Sequence, residues 1–468
     1  MLHPKQYRGS EVVVIGLARS GVAVALQFHK YGAKVVVNDQ KERILCTEAD
    51  SLEEQGVTVI CGSHPERIIH EHVRLVVKNP GIPYSNPLVM KAIQLGIEVV
   101  TEVEVAGFLS TSPIIGITGS NGKTTTTTLV QLILERSGQG AILAGNIGRA
   151  LTEVALSAAP EDWLVTELSS FQLKGTAQFH PRIACLLNLY ETHLDYHCTM
   201  EDYASSKAKI FKNQTKADYA IINWDDPYCR SLVATIKSQV IPFSARERLH
   251  TGVYIRNEMI VYTLSGNGNV DSSDEQSLMP IVELKLKGAH NLENALAAAA
   301  IALVAGADRE SIRFILATFQ GVEHRLEFIR EYKGIFFYND SKATNPVATI
   351  KSIEAFNNQP IILLCGGLDR GSDYMELLPV WRSSIKGVIV FGQTRTKLLE
   401  LAQLAGIEHC YLIDTDDASI AIKSAVEVSV QMAEEGDVVL LSTACASWDM
   451  FPSYEVRGRM FKDSVHTL

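Results

Sequence analysis

Short runs of Val, Ile and Leu recur along the whole chain, and each is bounded by Gly, Asn or Asp. They begin with EVVVIG at residues 11–16 and AKVVVND at 33–39, and they end with KGVIVFG at 386–392 and DVVLLST at 437–443. Stretches with helical character separate them. Continuous apolar strands of this kind are typical of parallel sheets that are covered on both faces by helices. The sequence therefore predicts an α/β fold.

The length of the chain indicates how often this pattern is repeated. A chain of 468 residues is too long for one hydrophobic core, and at roughly 100 to 200 residues per domain it suggests three domains. Segments near 100–112 and near 320 interrupt the alternation of strands and helices and suggest the domain boundaries. The polar stretch 264–279 is predicted to be an exposed hairpin or loop. The apolar run 295–307 is too short to span a membrane and is predicted to be a buried helix.

Composition narrows the function classes. The chain is 46% hydrophobic and 21% charged, with a formal net charge of −10, as in an ordinary soluble globular protein. This charge argues against a nucleic-acid partner, which normally requires a clustered basic surface. The eight cysteines include no CxxC pair and are predicted to be reduced thiols. With no signal peptide visible, we expect a cytoplasmic protein without a membrane partner.

The stretch IIGITGSNGKTTTTTLV, residues 114–130, is predicted to bind phosphate. A buried strand leads into a glycine-containing loop and then into an amphipathic helix, so that backbone N–H groups and the helix dipole converge on one point. The common GxxxxGK[ST] pattern would need glycine at 117, where this chain has Ile117. Lys123 would reach terminal phosphates and the Thr124 hydroxyl could ligate Mg²⁺. The alternative is an ordinary helix start.

A second glycine turn lies near the amino terminus. In VVVIGLARSGVAVAL a strand is followed by Gly16, Ala18 and Gly21, and Asp39 ends the next strand 18 residues beyond Gly21. This is close to the dinucleotide fingerprint, although Ala18 replaces the middle glycine. NAD, another nucleotide diphosphate and a glycine turn that only packs helix on strand all remain compatible with it.

Polar side chains follow several predicted strands. Glu167 comes just past one strand end, and His193 and Asp195 follow the next. Ligands bind at the carboxyl ends of strands in open α/β sheets, and Mg²⁺ prefers carboxylate oxygen. Taken alone, His193 would more often be structural, but beside a phosphate loop a metal role is favoured.

Three further groups each have two interpretations. His290, Asn291 and Asn294 are either a helix cap or an adenine site. His324 and Arg325 offer either a surface ion pair or a clamp on a phosphoryl group. The loop with Asp340, Lys342 and Thr344 is either a capped turn or a site for ribose and an acyl group.

The ordered motifs TGSNGKTT, GNIG, TELSSFQL, THLDYH, YASSKAKIF, GAHNLENALAA, HRLE and NDSKATNP resemble those of the ATP-dependent Mur ligases of peptidoglycan synthesis, which in turn resemble folylpolyglutamate synthases. The resemblance spans essentially the whole chain. It implies three domains: a Rossmann-like domain at 1–101 for a UDP-linked substrate, a central P-loop ATPase-like parallel sheet at 102–322 for ATP and Mg²⁺, and a Rossmann-like domain at 323–468 for an amino acid. GLARSG, VKNPGIP and LLSTACASWDMFPSYEVRG are similar to the members that add D-glutamate.

The resemblance also implies site residues. Those for the UDP-linked substrate are Arg19, Ser20, Asp39, Asn79, Gly81 and Asn146. Those for ATP are Gly119, Ser120, Asn121, Gly122, Lys123, Thr124, Thr125, Asn291, Asn294, Arg325 and Asp340. Those for D-glutamate are Lys342, Thr344, Arg370, Ser447, Trp448 and Tyr454. Catalytic roles fall to Lys123, Glu167, His193 and Lys207, and metal contacts to Thr124, Glu167, His193 and Lys207, with Lys207 at the position that the family carbamylates.

The implied reaction joins D-glutamate to UDP-N-acetylmuramoyl-L-alanine through an acyl phosphate, giving ADP and phosphate, and we expect a monomer. Two other classes compete with this reading. A nicotinamide-dependent oxidoreductase would explain the first 40 residues but not the loop at Lys123. A nucleotide-gated interaction protein would explain that loop and would hydrolyse ATP slowly without an amino acid.

Overall fold

The computed structural model of the protein describes residues 1–264, 275–286, 288–356 and 359–468. The chain divides into two compact units, Met1–Phe319 and Gln320–Leu468. Over the described residues the first unit contains two β-sheets and the second contains a third sheet. Helices accompany each sheet, and the α/β prediction is confirmed.

The amino-terminal sheet has the strand order β3-β2-β1-β4-β5 and is parallel throughout. Its elements are β1 (Glu11–Ile15), α1 (Arg19–Lys30), β2 (Lys34–Asp39), α2 (Ala49–Glu54), β3 (Thr58–Cys61), β4 (Val73–Lys78), α3 (Pro87–Gln94), β5 (Val99–Val100) and α4 (Glu102–Leu109). The chain places β2 and β3 on one side of β1, and then β4 and β5 on its other side, so the order reverses between β1 and β4. Loops after these two strands therefore meet at the switch point, where Rossmann-type sheets bind ligands.

The central sheet has the order β14-β13-β12-β11-β10-β9-β6-β8-β7 over the described residues. Its elements are β6 (Ile114–Thr118), α5 (Lys123–Arg136), β7 (Ala141–Gly145), α6 (Leu151–Ser157), β8 (Trp163–Glu167), α7 (Ser170–Lys174), β9 (Ile183–Leu186), α8 (Leu194–His197), α9 (Met200–Ala208), β10 (Tyr219–Asn223), α10 (Pro227–Leu232), β11 (Gln239–Ser244), β12 (Gly252–Arg256), β13 (Met259–Thr263), β14 (Gln276–Pro280), α11 (Ala289–Val304) and α12 (Arg309–Thr318). The strands from β6 to β12 pair in parallel, whereas β13 is antiparallel to both β12 and β14.

Two predictions for this region have an outcome. The apolar run 295–307 lies largely in α11, whose residues 295–302 are all buried, so the buried helix is confirmed. Of the polar stretch 264–279, residues 265–274 lie outside the described part of the chain, and the end of the stretch belongs to strand β14. Over the described residues, every helix is too short or too polar to cross a membrane.

The first unit is held together in part by α4. The carboxylate of Glu104 is buried and accepts hydrogen bonds from the backbone N–H groups of Ala177, Gln178 and Phe179 at 2.9–3.1 Å. A buried carboxylate is stable only when hydrogen bonds replace its hydration. The segment that follows the amino-terminal sheet is thereby fixed to the loop after α7.

The sheet of the second unit has the order β15-β16-β20-β17-β18-β19 over the described residues. Its elements are β15 (Glu327–Tyr332), β16 (Ile335–Asn339), α13 (Pro346–Glu354), β17 (Ile361–Gly366), α14 (Leu378–Ser384), β18 (Ile385–Phe391), α15 (Arg395–Ala405), β19 (His409–Leu412), α16 (Ala418–Met432), β20 (Val438–Leu441) and α17 (Tyr454–His466). Only the edge strand β15 is antiparallel to its neighbour. Alternate residues of β17 enter two separate cores, Leu363 on one face and Ile362 on the other.

Candidate active site

The predicted phosphate loop joins β6 to the first turn of α5. The Nζ atom of Lys123 donates hydrogen bonds to the backbone oxygens of Gly119 (2.8 Å) and Ser120 (2.9 Å). Gly122 has a φ of +81°, and a Cβ atom at this residue would lie 2.1 Å from Oδ1 of Asn294. The first N–H groups of any helix lack intrahelical partners, so α5 begins with donors directed at the loop. The loop has the form of an anion-binding turn that only glycine can complete at 122.

Two residues that the sequence analysis missed hold this loop. The backbone N–H of Asn121 donates to Oδ1 of Asn188 at 2.9 Å, and the hydroxyls of Ser120 and Tyr203 lie 2.8 Å apart. Asn188 comes two residues after β9, so the strand-end argument that selected Glu167 would also have selected it. Tyr203 precedes Lys207 by one helical turn on α9, a spacing that indicates a shared face.

A buried carboxylate lies beside the start of α5. Oε2 of Glu167 accepts a hydrogen bond from the Thr124 hydroxyl at 2.7 Å, and Oε1 accepts one from the Asn146 side-chain amide at 2.8 Å. Glu167 and Thr124 are both buried. Asn146, predicted to contact the UDP-linked substrate, therefore contacts the carboxylate in this structure. Hydroxyl and carboxylate oxygens form the hard donor set that Mg²⁺ prefers.

Lys207 lies directly beneath the phosphate loop. Its side chain is buried, and Nζ lies 2.8 Å from the backbone oxygen of Gly119 and 3.3 Å from the Thr118 hydroxyl. Burial lowers the pKa of Lys207 well below its ordinary value, and the nearby charge of Lys123 lowers it further, whereas Glu167 opposes the shift. The shift is toward the neutral amine, which is the nucleophilic form of lysine.

His193 and Lys207 both lie beside the ring of Tyr203, and His193 also contacts a second aromatic ring. It precedes α8 with a φ of +58°, and its ring lies 5.0 Å from that of Phe171 and 6.3 Å from that of Tyr203. The helix is fixed by His197, whose ring nitrogens lie 2.9 Å from the Ser170 hydroxyl and 2.8 Å from the Asp202 carboxylate. The side chain of Asp195 lies outside the described part of the chain.

The residues predicted to recognise adenine begin α11. Asn291 and Asn294 lie on one face of the helix, with Nδ2 of Asn294 3.5 Å from Oδ1 of Asn291. Oδ1 of Asn294 also lies 3.5 Å from the hydroxyl of Thr126 on α5. Thr125 is half-buried in the first turn of the same helix. The structure thus brings Asn294 to the phosphate loop, with Asn291 one turn before it.

Asp39 closes the glycine turn of the amino-terminal sheet. Its carboxylate accepts hydrogen bonds from the backbone N–H groups of Leu17 at 2.7 Å and Lys41 at 2.9 Å. Arg19 and Ser20 form the first turn of α1, directly after this loop. The acidic residue of the fingerprint therefore contacts its own loop in this structure.

The loop after β4 abuts the same glycine turn. Oδ1 of Asn79 accepts a hydrogen bond from the N–H of Gly81 at 3.1 Å, and a Cβ atom on Gly16 would lie only 2.7 Å from Cβ of Asn79. The two loops predicted to bind the UDP-linked substrate thus meet at the switch point of the sheet, as expected from the strand order.

Four of the six residues predicted to bind D-glutamate form two pairs in the second unit. Nζ of Lys342 lies 5.7 Å from the ring centroid of Tyr454, and the guanidinium of Arg370 lies 5.2 Å from that of Trp448. Trp448 is 66% exposed, which is unusual for tryptophan, whereas Ser447 is buried. Thr344 lies on the loop with Lys342, where its N–H bonds the Lys342 oxygen at 2.9 Å.

A buried arginine that the sequence analysis missed joins three loops of this unit. The guanidinium of Arg457 donates to the backbone oxygens of Ser341 (2.9 Å) and Cys445 (3.2 Å), and one nitrogen lies 3.5 Å from that of Gly366. These carbonyls belong to the chain at or after the carboxyl ends of β16, β20 and β17. Burial lowers the pKa of Arg457 to about 10. Arg457 thereby fixes the loops that carry the predicted D-glutamate residues.

A group of possible metal ligands in the second unit already has a cation. Over the described residues, Glu323, His324 and Glu327 form a group of acidic or histidine side chains whose ligand atoms lie within 4.8 Å of one another. The ammonium of Lys462 lies 3.2 Å from Glu323 and also contacts Glu327. The lysine offsets part of the negative charge of these two carboxylates and occupies their oxygens, so we assign no metal to the group.

Arg325 and Asp340, predicted to contact ATP, belong to the second unit. Arg325 is exposed. The buried carboxylate of Asp340 accepts hydrogen bonds from the N–H of Leu326 at 3.2 Å and the hydroxyl of Ser442 at 3.0 Å, as well as from the hydroxyl of Ser352. Burial raises the pKa of Asp340 to about 6, although these hydrogen bonds and Arg325 oppose the shift.

We expect Asp340→Asn to stabilise the protein above pH 6. The folded state holds the proton of Asp340 up to about pH 6, whereas an ordinary aspartate releases it near 3.8, so this stability is lost as the pH rises from about 4 to about 6. Asparagine is neutral throughout, and the gain above pH 6 is at most about 3 kcal/mol. Urea unfolding of both proteins at pH 4.5 and 7.5 measures it, with the exposed Asp414→Asn as control. An equal difference at both pH values would contradict the shift.

Comparison with known proteins agrees with this geometry. Three family models match the chain: the MurD-like N-terminal domain of Mur ligases at residues 10–101, the Mur ligase middle domain at 117–302, and the glutamate ligase domain of Mur ligases at 324–445. A UDP-N-acetylmuramoylalanine–D-glutamate ligase of Geobacillus kaustophilus (strain HTA426) is 50% identical over 462 residues, which are 99% of this chain and 98% of the relative. The protein of the same name from Bacillus subtilis (strain 168) is 45% identical, and the match covers 97% of each chain.

Solved structures agree in fold. UDP-N-acetylmuramate-alanine ligase MurC from Thermotoga maritima matches with a TM-score of 0.53 at 17% identity, over 98% of this chain and 99% of that one. MurF from Acinetobacter baumannii matches with a TM-score of 0.53 at 18% identity, and the match covers 86% of this chain and 93% of MurF. The chain belongs to the Mur ligase family. Enzymes of this family form amide bonds in an ATP-dependent manner and use Mg²⁺.

Proposed function

We propose that the protein adds D-glutamate to UDP-N-acetylmuramoyl-L-alanine, with ATP converted to ADP and phosphate, in the synthesis of peptidoglycan precursors. The observation that carries the proposal is the loop at residues 119–122, with Lys123 folded over it and the Thr124–Glu167 pair beside it. The full-length identity of 45–50% to relatives named for this reaction supports the choice of substrates.

The chemistry explains why such a loop is needed. A carboxylate is a poor electrophile, and an amine cannot displace oxide from it. Transfer of the γ-phosphoryl group of ATP to the alanyl carboxylate gives an acyl phosphate, and the D-glutamate amine then displaces phosphate to form the amide. Catalysis of phosphoryl transfer rests on positioning and on neutralising charge, which we assign to Lys123. Water must be excluded while the acyl phosphate exists, because it would otherwise be hydrolysed.

The residues present fit a Mg²⁺ ion beside the loop. Thr124 and Glu167 offer hard oxygen donors whose mutual hydrogen bond a cation could replace, and Asn146 orients the second carboxylate oxygen. We assign His193 to the surroundings of this Mg²⁺ ion as a further polar side chain. When bound, the ion would neutralise charge on the phosphates. The adjacent donors of the first turn of α5 support the same location for the phosphates.

We propose that Lys207 is carbamylated in the active enzyme. A buried neutral amine is the form that adds CO₂, and the product is an anion that could support a cation beside Glu167. The position of Nζ beneath Gly119 supports this role.

We expect Lys207→Ala to lose most activity and to regain part of it in excess Mg²⁺ with a small carboxylic acid such as acetate. The acid would supply the missing negative charge in the space left by the side chain. Turnover measured against acetate concentration tests this, with Lys209→Ala on the adjoining 3₁₀ turn as a control that acetate should not affect. Absence of rescue at all acetate concentrations would leave carbamylation unsupported.

The decisive experiment for the proposed function is a two-substrate assay. Phosphate release should require both UDP-N-acetylmuramoyl-L-alanine and D-glutamate, and omission of either should abolish it. Slow release that needs neither would favour a nucleotide-gated interaction protein. Turnover of NAD(P)H, followed by absorbance, would favour an oxidoreductase, to which the contact between Asp39 and its own loop gives no support.

The proposal extends to assembly and location. We propose a cytoplasmic monomer, because soluble UDP-linked and amino-acid substrates would be joined by one chain that offers candidate residues for each. Light scattering at the concentration of the activity assay measures the mass, and 51.4 kDa is expected.

A further inference from the structure

A buried lysine outside the predicted site joins the two sheets of the first unit. Lys78 is the last residue of β4, and its side chain is 1% exposed. Its Nζ atom donates to the backbone oxygen of Ile82 at 2.8 Å and lies 3.3 Å from that of Pro80. It also lies 3.5 Å from the backbone oxygen of Asn79 and 3.0 Å from the hydroxyl of Tyr196. The ammonium thus lies inside the turn at residues 79–82, the turn predicted to contact the UDP-linked substrate.

Tyr196, the partner of Lys78 in this contact, belongs to the part of the chain that forms the central sheet. It lies on α8, three residues after His193, and its ring packs edge-on against Phe171 at 4.4 Å. Its hydroxyl also lies 3.1 Å from the backbone oxygen of Pro80. One hydroxyl group therefore connects the turn of the UDP subsite with the helix that follows His193.

The amino group of Lys78 is surrounded by backbone oxygens, a hydroxyl and aromatic rings. Over the described residues, no carboxylate forms an ion pair with it, and its Nζ lies 4.7 Å from the ring centroid of Tyr84. Burial lowers the pKa of Lys78 to about 7, and the charge of Lys174 adds to this. Burying a cation is costly, and an apolar side chain of similar size is often as stable or more stable in such a place. Stability alone therefore does not account for lysine here.

We propose that Lys78 and Tyr196 are a positioning pair that sets the UDP subsite against the phosphoryl-transfer site. The inference rests on the proposed function, in which one substrate must reach from the loops at Asn79 and Gly16 to the phosphate loop. The reacting carboxylate can meet the γ-phosphate only if the loops at Asn79 and Gly16 are correctly placed relative to the phosphate loop. A misplacement of about 1 Å can cost about 100-fold in rate. The Lys78–Tyr196 contact is a direct link between the turn at residues 79–82 and the helix α8 beside the phosphate loop.

The test compares binding of a fragment with turnover of the whole substrate. Tyr196→Phe removes only the hydroxyl, and we expect it to lower kcat for ligation about 10-fold, the effect of one hydrogen bond to a charged group. The Kd of UDP, which needs only the amino-terminal subsite, should change less than twofold, and the KM for ATP should not change. Tyr84→Phe removes a hydroxyl from the other ring beside Lys78 and should keep full turnover.

The pair must also behave as one unit. Lys78→Met should lower kcat at least as much as Tyr196→Phe, and the double variant should be no slower than Lys78→Met alone. Equal turnover in Tyr196→Phe and Tyr84→Phe would overturn the inference, as would losses that multiply in the double variant or a UDP Kd that weakens in step with kcat.

A measurement independent of ligation separates this inference from the proposed function. Amide hydrogen exchange at residues 196–198 should be faster in Lys78→Met than in the unchanged protein, and unchanged exchange would overturn the pair. If the unchanged protein does not ligate in the two-substrate assay, the proposed function fails, and the exchange result still decides whether the contact fixes α8.

Discussion

Lys123→Ala is expected to lower ligation by about 10³-fold or more while leaving affinity for the UDP-linked substrate within about twofold. Lys123 is the cation folded over the loop at 119–122, with its Nζ 2.8 Å and 2.9 Å from two loop oxygens. Removing it leaves the developing charge on the transferring phosphoryl group without the compensation that we assign to Lys123. The loops of Gly16 and Asn79, which we propose hold the UDP group, lie on another sheet and should not sense the change.

Calorimetric titration with UDP-N-acetylmuramoyl-L-alanine and a phosphate-release assay measure the two quantities. Lys212→Ala, which removes an exposed lysine of the central region, is the matched control and should retain full activity. Near-normal turnover in Lys123→Ala would remove the basis for assigning ATP to this loop. Equal loss of binding and turnover would indicate that the variant has disturbed the whole unit.

Gly122→Ala is expected to lower kcat/KM for ATP about 100-fold. Gly122 has a left-handed φ of +81°, and the new Cβ atom would lie 2.1 Å from Oδ1 of Asn294. The loop or the amide must move, and displacement of a positioning group by about 1 Å costs about this much in rate. The left-handed conformation itself costs about 1–2 kcal/mol for alanine.

Gly138→Ala separates strain from displacement. Gly138 lies two residues beyond the end of the same helix, with a φ of +76°, and a Cβ atom there would meet nothing within 4 Å. It should therefore lose similar stability in urea unfolding and keep its kcat/KM for ATP. If both variants lose activity equally, the effect of Gly122→Ala comes from lowered stability and not from the loop.

Much of the fold was predictable because apolar runs identify buried strands. The runs at Val12–Val14 and Ile361–Leu364, for example, form β1 and β17, with fully or almost fully buried side chains. The hairpin of β12 and β13 was not predicted, since its strands are short and its turn lacks glycine. Asn257 and Glu258 both have positive φ there, as in the type I′ turn of a two-residue hairpin loop. Asn257 was the one residue in the sequence that indicated this turn.

The site residues that follow strand ends were predictable from the sequence. The buried residues that hold the loops of the site in place were less predictable. Glu167 lies at the end of β8, and the structure brings it to Thr124 as the strand-end rule implies. Lys78 and Arg457 are buried cations, which no local pattern reveals, because lysine and arginine are ordinarily exposed. The backbone oxygens that bind Arg457 come from distant parts of the chain, and the Tyr196 hydroxyl that contacts Lys78 is 118 residues away in sequence.

The second unit contains a whole sheet with an apolar core on each face and a buried guanidinium that joins its loops. A gene fragment that starts near Gln320 should therefore yield a polypeptide that folds by itself. Isotope labelling of that polypeptide would give amino-acid titrations by NMR at about a third of the mass of the full enzyme, with Trp448 as a built-in fluorescent reporter.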